Sequence, residues 1–245
     1  MRIWNVSHAA KIILLGFFST LVTSQSLAQQ ISADWESAQR VYEKQNVSMF
    51  LTRVADSLQV KVFIEDPVMI DQIRLCGFSL FVNDKGKKKD KSGVQYPVGF
   101  DQSALPEDPE RLQMALTNLP PFEISDQRQQ YGVYREAELS QGAFPSPSGL
   151  QIEWFSSIDG VEILYQIPPD ISGYEPGETV RVGWRCGVLG RPDLTGNDGV
   201  GIYGTNPSNP NVVADAAVRA RLNLYERYRE FTIERNGWSG KVTPE

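Results

Sequence analysis

The feature that most constrains the fold is a period-two alternation of apolar and polar residues that recurs after residue 45. In the segment 180–188 every second residue is apolar, and the residues between them are arginine or glycine. Four more runs alternate in a similar way, at 60–64, 77–83, 150–154 and 161–167. Short alternating runs bounded by Gly, Pro, Asn or Asp are typical of antiparallel strands with one buried face. The sequence therefore predicts a mainly all-β protein, an antiparallel two-sheet β-sandwich with one or two short peripheral helices.

Two segments depart from this alternation and predict the helices. Asp108 and Pro109 resemble an N-cap and first helical turn, and the helix that they begin is stopped at Pro120. The segment 211–228 is rich in Ala and Arg and predicts a second helix, followed by a last strand at 231–234.

The remaining connections predict a single domain. The stretches 136–148 and 191–210 are rich in Gly, Pro, Asn and Ser and are expected to be loops. Neither is long or biased enough to separate domains, so residues 29–245 are expected to form one β-sandwich.

The N-terminal residues have the pattern of a cleavable secretory signal. A basic lead with Arg2 and Lys11 precedes an apolar run at 12–22, and the small residues Ser26 and Ala28 follow it. This pattern predicts a signal peptide at residues 1–28, cut after Ala28. The alternative, an anchor left uncleaved in the membrane, remains open.

We expect the mature protein to be periplasmic, with association with the outer membrane or secretion as open alternatives. No segment after residue 28 has the roughly 18 consecutive apolar residues of a transmembrane helix.

Charge and histidine content exclude several functions. The chain has 24 basic and 30 acidic residues, a net charge of −6, and the first 28 residues hold two basic and no acidic ones, which leaves −8. This acidity argues against nucleic-acid binding. The single histidine, His8, lies within the signal peptide. A mature chain without histidine has no Ser-His-Asp triad, Cys-His pair, imidazole metal site or histidine-ligated haem.

The two cysteines are expected to be structural. Cys76 is in phase with the apolar side of the strand at 77–83, and Cys186 with that of the strand at 180–188. In an exported chain an even number of cysteines is compatible with a disulfide. Two buried thiols that pack as small apolar groups are an equally open alternative.

A lysine-rich run lies between two predicted strands and is expected to form an exposed hairpin tip. Its members are Lys85, Lys87, Lys88, Lys89 and Lys91. Such a run is usually a solvated loop that keeps a sheet edge soluble. The functional alternative is a basic finger for an anionic glycan, a lipid headgroup or an acidic protein.

A few aromatic residues are candidates for stacking on a sugar ring. Trp184 is in phase with a buried face, which predicts a core position. Trp35, Trp154 and Tyr203 are less constrained and form the candidate ligand-binding set, and burial in the core is the alternative for each of them. Tyr203 lies in the segment 199–204, which matches Gly-x-Gly-x-x-Gly but lacks the flanking strand and helix of a dinucleotide site. No metal or cofactor is expected.

The segment 73–99, which contains the lysine run and Tyr96-Pro97, resembles exported bacterial proteins of Bacteroidetes-type envelopes. Their fold is similar to that of family 9 carbohydrate-binding modules and DOMON domains. The resemblance continues through the 109–121 segment and the strand that ends at Pro169 to a terminal strand with Trp238. It implies a non-catalytic two-sheet sandwich at the periplasm or outer membrane.

The sequence thus leaves two functional hypotheses and a weaker third. The first is a non-enzymatic module that binds a glycan or another envelope polymer. The second is an interaction subunit of a periplasmic or outer-membrane protein complex. The third is a glycosidase with two carboxylates, for which the sequence identifies no pair.

Overall fold

The structure is a computed structural model, and it describes residues 38–83, 85–99, 130–190 and 216–244. The chain divides into two compact units, Met1–Gln39 and Arg40–Glu245. All but two of the described residues lie in the second unit.

Five strands form the first sheet, in the order β1-β2-β3-β9-β8. Their bounds are β1 Gln39–Lys44, β2 Val47–Val54, β3 Ser57–Ile64, β8 Gln151–Ser156 and β9 Val161–Ile167. The pairs β2–β3, β3–β9 and β8–β9 are antiparallel.

Six strands form the second sheet, in the order β11-β10-β4-β5-β6-β7. Their bounds are β4 Phe78–Asn83, β5 Ser92–Gln95, β6 Gln130–Arg135, β7 Glu138–Ala143, β10 Arg181–Cys186 and β11 Asn236–Trp238. Every neighbouring pair is antiparallel. The predicted two-sheet antiparallel β-sandwich is confirmed.

The alternation in the sequence places the core between the sheets. Along β3, Leu58 and Val62 have no exposed surface and pack in the main cluster, whereas Lys61 lies on the outer side. Along β10, Trp184 and Cys186 are each 1 % exposed and join the same cluster, as predicted. Burying a leucine or valine side chain contributes about 1.5–3 kcal/mol to the free energy of folding. The phase of the alternation therefore decides which face of each strand turns inward.

Helix α1, Pro67–Cys76, was not predicted from the sequence and packs against β10. Its N-cap is Asp66, whose carboxylate accepts hydrogen bonds from the backbone N–H groups of Val68 at 2.9 Å and Met69 at 3.2 Å. The same carboxylate pairs with Arg235 at 3.3 Å, so the cap also ties the helix to the chain just before β11. Helix α2, Pro169–Ser172, is a single short turn.

Helix α3, Ala216–Arg227, confirms the helix predicted within 211–228 over its described part. The strand predicted at 231–234 is wrong: Arg229–Thr232 is a 3-10 helix, and the last strand is β11. Phe231 explains the difference, because it is 3 % exposed and packs with Leu224 and Tyr228 in a small second core cluster. That packing requires a helical turn at this point.

Two other expectations are corrected. The stretch 136–148, expected to be a loop, contains β7, whose polar residues Ser140 and Gln141 are exposed and so give no alternating apolar signal. Cys76 is the last residue of α1 and does not continue the strand that begins at Phe78. The predicted helix that starts at Asp108 lies outside the described residues.

Candidate ligand-binding surface

A row of residues in register crosses the outer face of the six-stranded sheet, and in this row large aromatic residues alternate with glycines. Backbone pairing aligns Trp238 with Gly183, Gly183 with Phe81, Phe81 with Gly93, and Gly93 with Tyr134. The aromatic residues therefore come from β11, β4 and β6, and a glycine lies on each strand between them. We call Trp238, Phe81 and Tyr134 the aromatic strip.

The glycines let the three rings meet although a whole strand separates each pair. Alternate strands are nearly 10 Å apart, yet the Phe81 and Tyr134 ring centroids are 5.1 Å apart and those of Phe81 and Trp238 are 6.4 Å apart. A Cβ added at Gly183 would lie 2.6 Å from the Trp238 indole. The strip is thus one continuous apolar layer, in which Phe81 is 2 % exposed and the two outer rings are partly exposed.

Arginine side chains border the strip. The Arg185 guanidinium lies 5.1 Å from the centre of the Phe81 ring, a cation–π contact, and donates a hydrogen bond to Asp90 at 3.1 Å. Arg181, four residues before Arg185 on the same outer face of β10, has a buried Nε that lacks a hydrogen-bond partner among the described residues. Arg185 therefore links the strip to the lysine run, because Asp90 lies in that run.

The predicted lysine hairpin connects β4 to β5, and its base is held by specific contacts. We call residues 85–91 the lysine loop. The Asn83 side-chain oxygen accepts hydrogen bonds from the backbone N–H groups of Lys85 at 3.1 Å and Lys87 at 3.0 Å. Gly86 has a positive φ of 59° and lies under the Lys241 side chain, whose Cε would be 3.2 Å from an added Cβ. These contacts give the loop a defined shape.

Two acidic residues near the base of the loop form salt bridges. Asp90 pairs with Arg185, and Glu136 in the β6–β7 turn pairs with Lys91 at 2.7 Å. The Lys91 ammonium lowers the pKa of Glu136, which stays ionised.

The four other lysines of the loop form no salt bridge within the described part of the chain, although Lys85 lies near enough to Glu136 to help lower the pKa of that carboxyl. They are Lys85, Lys87, Lys88 and Lys89, and all four are exposed. Lys241 adds a fifth cation beside Gly86. A chain with a net charge of −6 therefore carries a concentrated positive surface at one end of the six-stranded sheet.

The three aromatic candidates from the sequence are not brought together by the described structure. Trp154 is 9 % exposed, packs in the main core and donates from Nε1 to Ser156 Oγ at 2.9 Å. This position leaves little of the indole face open to a sugar ring. Trp35 and Tyr203 lie outside the described residues. Trp184 is in the core, as predicted.

Cys76 and Cys186 are both thiols in this structure, and Cys186 is buried. They lie near each other: a Cβ added at Gly187, next to Cys186, would be 3.1 Å from the Cys76 Cβ. Burial raises the pKa of each thiol to about 12. Both are therefore protonated and unreactive at neutral pH in this state.

The outer face of the five-stranded sheet carries two carboxylates on neighbouring strands. Burial raises the pKa of Glu153 on β8, whereas Glu162 on β9 pairs with Lys61 at 2.7 Å. Backbone pairing aligns Glu162 with Phe155, two residues from Glu153, so the carboxylates are diagonal neighbours on a sheet face. Within the described residues no group of three metal-ligating side chains comes together.

Comparisons with known proteins do not assign this arrangement to a family. No protein-family model matches the chain, and no curated protein matches it significantly. Among the described helices, none is long and apolar enough to cross a bilayer.

Proposed function

We propose that the chain is an exported, non-catalytic module that binds an anionic glycan or a similar anionic polymer of the cell envelope. The observation that carries this proposal is the aromatic strip with the lysine loop at its edge, on one outer sheet face. Partly exposed Trp238 and Tyr134 rings suit the apolar C–H faces of sugars. The loop lysines suit carboxylate or sulfate groups along the same polymer.

The linear arrangement of the aromatic residues favours a polymer. The strip crosses four consecutive strand pairings of one sheet, so its aromatic residues follow a line. A linear chain can contact such a line at several points, and each weak contact then adds to the affinity. The sequence pattern at residues 1–28 supports the exported part of the proposal. N-terminal sequencing of the native protein tests it, and the expected first residue is Gln29.

Affinity gel electrophoresis with soluble polysaccharides tests the binding proposal. Polygalacturonate is expected to retard the protein at low salt, and neutral dextran is not. Trp238→Ala should reduce the retardation strongly. Trp154→Phe, which changes a core aromatic residue, should leave it unchanged. Equal mobility in gels with and without every anionic polymer tested would refute the proposal.

A second candidate function, a subunit that docks on an envelope protein, is favoured by a different surface. The hairpin between β8 and β9 exposes Phe155 at 49 % and Ile158 completely. An exposed pair of large apolar residues beside a sheet edge is typical of protein contacts. If this function is correct, Ile158→Ser should abolish co-purification with one stoichiometric envelope protein, and Lys88→Gln/Lys89→Gln should not.

A further inference from the structure

A cleft lies beside the β6–β7 hairpin, on the side of the sheet that faces away from the aromatic strip. Its volume is about 360 Å³, within the range of small-molecule sites. The cleft is lined by Tyr131 and Val133 of β6, by Ser140 of β7 and by Ser148. We call Tyr131 and Val133, the buried residues of this lining, its floor. Tyr131 and Val133 are 6 % and 7 % exposed, so the floor is firm and largely apolar.

The floor is held in place by packing. The Tyr131 ring lies 4.8 Å from the Phe144 ring, at an angle of 47°. On its other flank is Gly142, where an added Cβ would be 2.7 Å from the ring carbon Cζ. A side chain at position 142 would push the ring out of place, so the cleft depends on this glycine.

Hydroxyl groups supply the polar side of the cleft. The Tyr131 hydroxyl donates a hydrogen bond to Ser146 Oγ at 3.1 Å, and Ser146 Oγ is 3.0 Å from Ser148 Oγ. Ser140 Oγ donates to the Val133 carbonyl at 3.3 Å and keeps its lone pairs available. The chain of hydroxyls can therefore both donate to and accept from a hydroxylated ligand.

The charged residue at the cleft is Arg135. Among the described residues that line the cleft it is the only charged one, although Glu138 is its backbone-paired neighbour on β7. The nearest partner of Arg135 is Asp170 at 3.6 Å, and the two side chains are 62 % and 50 % exposed. An ion pair that is long and exposed on both sides contributes little, so a ligand carboxylate can replace Asp170 and form a bidentate pair with the guanidinium.

We propose that this cleft binds a small hydroxylated carboxylate, with the carboxylate on Arg135 and the ligand hydroxyls on Ser140 and Ser148. A uronic acid residue of an anionic glycan and a free sugar acid share this chemistry. In its glycan form the inference rests on the proposed function and adds an acidic-sugar subsite to it. The cleft is separate from the aromatic strip and the lysine loop, so the two sites can be tested independently.

Isothermal titration calorimetry with three small ligands tests the proposal. Methyl β-glucuronide should bind, and the neutral methyl β-glucoside should bind at least about tenfold more weakly because it lacks the charge-assisted pair. Open-chain gluconate distinguishes the two sources of the ligand. Tighter binding of the glucuronide indicates a glycan residue, and tighter binding of gluconate indicates a free sugar acid. Absence of binding by both carboxylates overturns the proposal.

Matched variants place the binding in the cleft. Arg135→Gln should weaken glucuronide or gluconate binding about tenfold and leave any neutral-sugar binding unchanged. Arg53→Gln, which removes an exposed charge from the other sheet, should change neither. An equal loss in both variants would show a nonspecific charge effect and overturn the proposal.

The variant Lys88→Gln/Lys89→Gln separates this inference from the proposed function. It should lower polygalacturonate binding and leave the monosaccharide affinity intact. If the native protein binds the monosaccharide but no polymer, the proposed function is wrong and the proposed binding in the cleft is supported. If it binds the polymer but no monosaccharide, only the proposed binding in the cleft is overturned.

Discussion

The rings of Phe81 and Tyr134 lie 5.1 Å apart although β5 runs between their strands. The contact exists because Gly93 is the β5 residue aligned with both. Gly183 has the same place between Phe81 and Trp238. The aromatic strip therefore depends on these two glycines as much as on the three rings.

Gly183→Val should disrupt the strip. The new side chain overlaps the Trp238 indole, so we expect a loss of about 1–3 kcal/mol in the free energy of unfolding and a loss of polymer binding. Urea titration and affinity electrophoresis measure the two effects. Gly240→Ala is the control, since nothing lies within 4 Å of its added Cβ, and it should change stability by less than about 0.5 kcal/mol. Native polymer binding by Gly183→Val would show that the strip is not the contact surface.

The strip could not be predicted from the sequence, whereas the fold could. The alternation around Trp184 and along β9 fixes which residues face the core, and it is visible within a few residues. The alignment of Trp238 with Gly183 and of Gly93 with Tyr134 depends on how strands distant in the chain pair. No local pattern specifies that register.

Other features were present in the sequence but were concealed by competing signals. Asp66 and Pro67 are an N-cap and an N1 proline, and Met69 and Ile73 have helical spacing, yet the flanking strands obscured this short helix. Along β8, Ile152 and Trp154 lie on the same face of the strand, and that face packs in the core. The alternation at 150–154 therefore already indicated a buried Trp154.

Lys88→Gln/Lys89→Gln should weaken polygalacturonate binding about three- to tenfold, because exposed charges each contribute a fraction of a kcal/mol to about 1 kcal/mol. Binding by fluorescence anisotropy at several salt concentrations measures this. The double variant should also show a smaller salt dependence. The control Lys44→Gln/Arg53→Gln removes two exposed charges elsewhere. An equal effect of both double variants would contradict a role for the lysine loop.

Asp66→Ala should lower the free energy of unfolding by about 1–2 kcal/mol, since it removes the N-cap of α1. It also removes the partner of Arg235, so the loss should lie toward the upper end. Asp71→Ala on the same helix removes a pair with Arg74 at 3.4 Å and should cost less than about 0.5 kcal/mol. Equal losses in urea titrations of the two variants would contradict the capping account.

The reduced protein should lose stability at alkaline pH. The thiols of Cys76 and Cys186 have an ordinary pKa of 9.0, which burial raises to about 12. Their stabilising contribution is therefore fully present below pH 9 and is lost as the pH rises toward 12. The urea midpoint should fall over this window, and less steeply in Cys76→Ala/Cys186→Ala.

Alkylation of the native, unreduced protein tests the disulfide that the sequence left open. A bridged pair reacts only after reduction, even when the chain is unfolded. Two thiols that react on unfolding without a reductant would establish the alternative of two buried thiols, the state seen in this structure.

The central claim is that an anionic glycan binds along the outer face of the six-stranded sheet. Backbone amide NMR during a titration with oligogalacturonate tests it most directly. We predict that the shifted signals map to the lysine loop and to the strands around Trp238, Phe81 and Tyr134. Shifts confined to the β8–β9 hairpin around Ile158, or no shifts at saturating oligosaccharide, would contradict it.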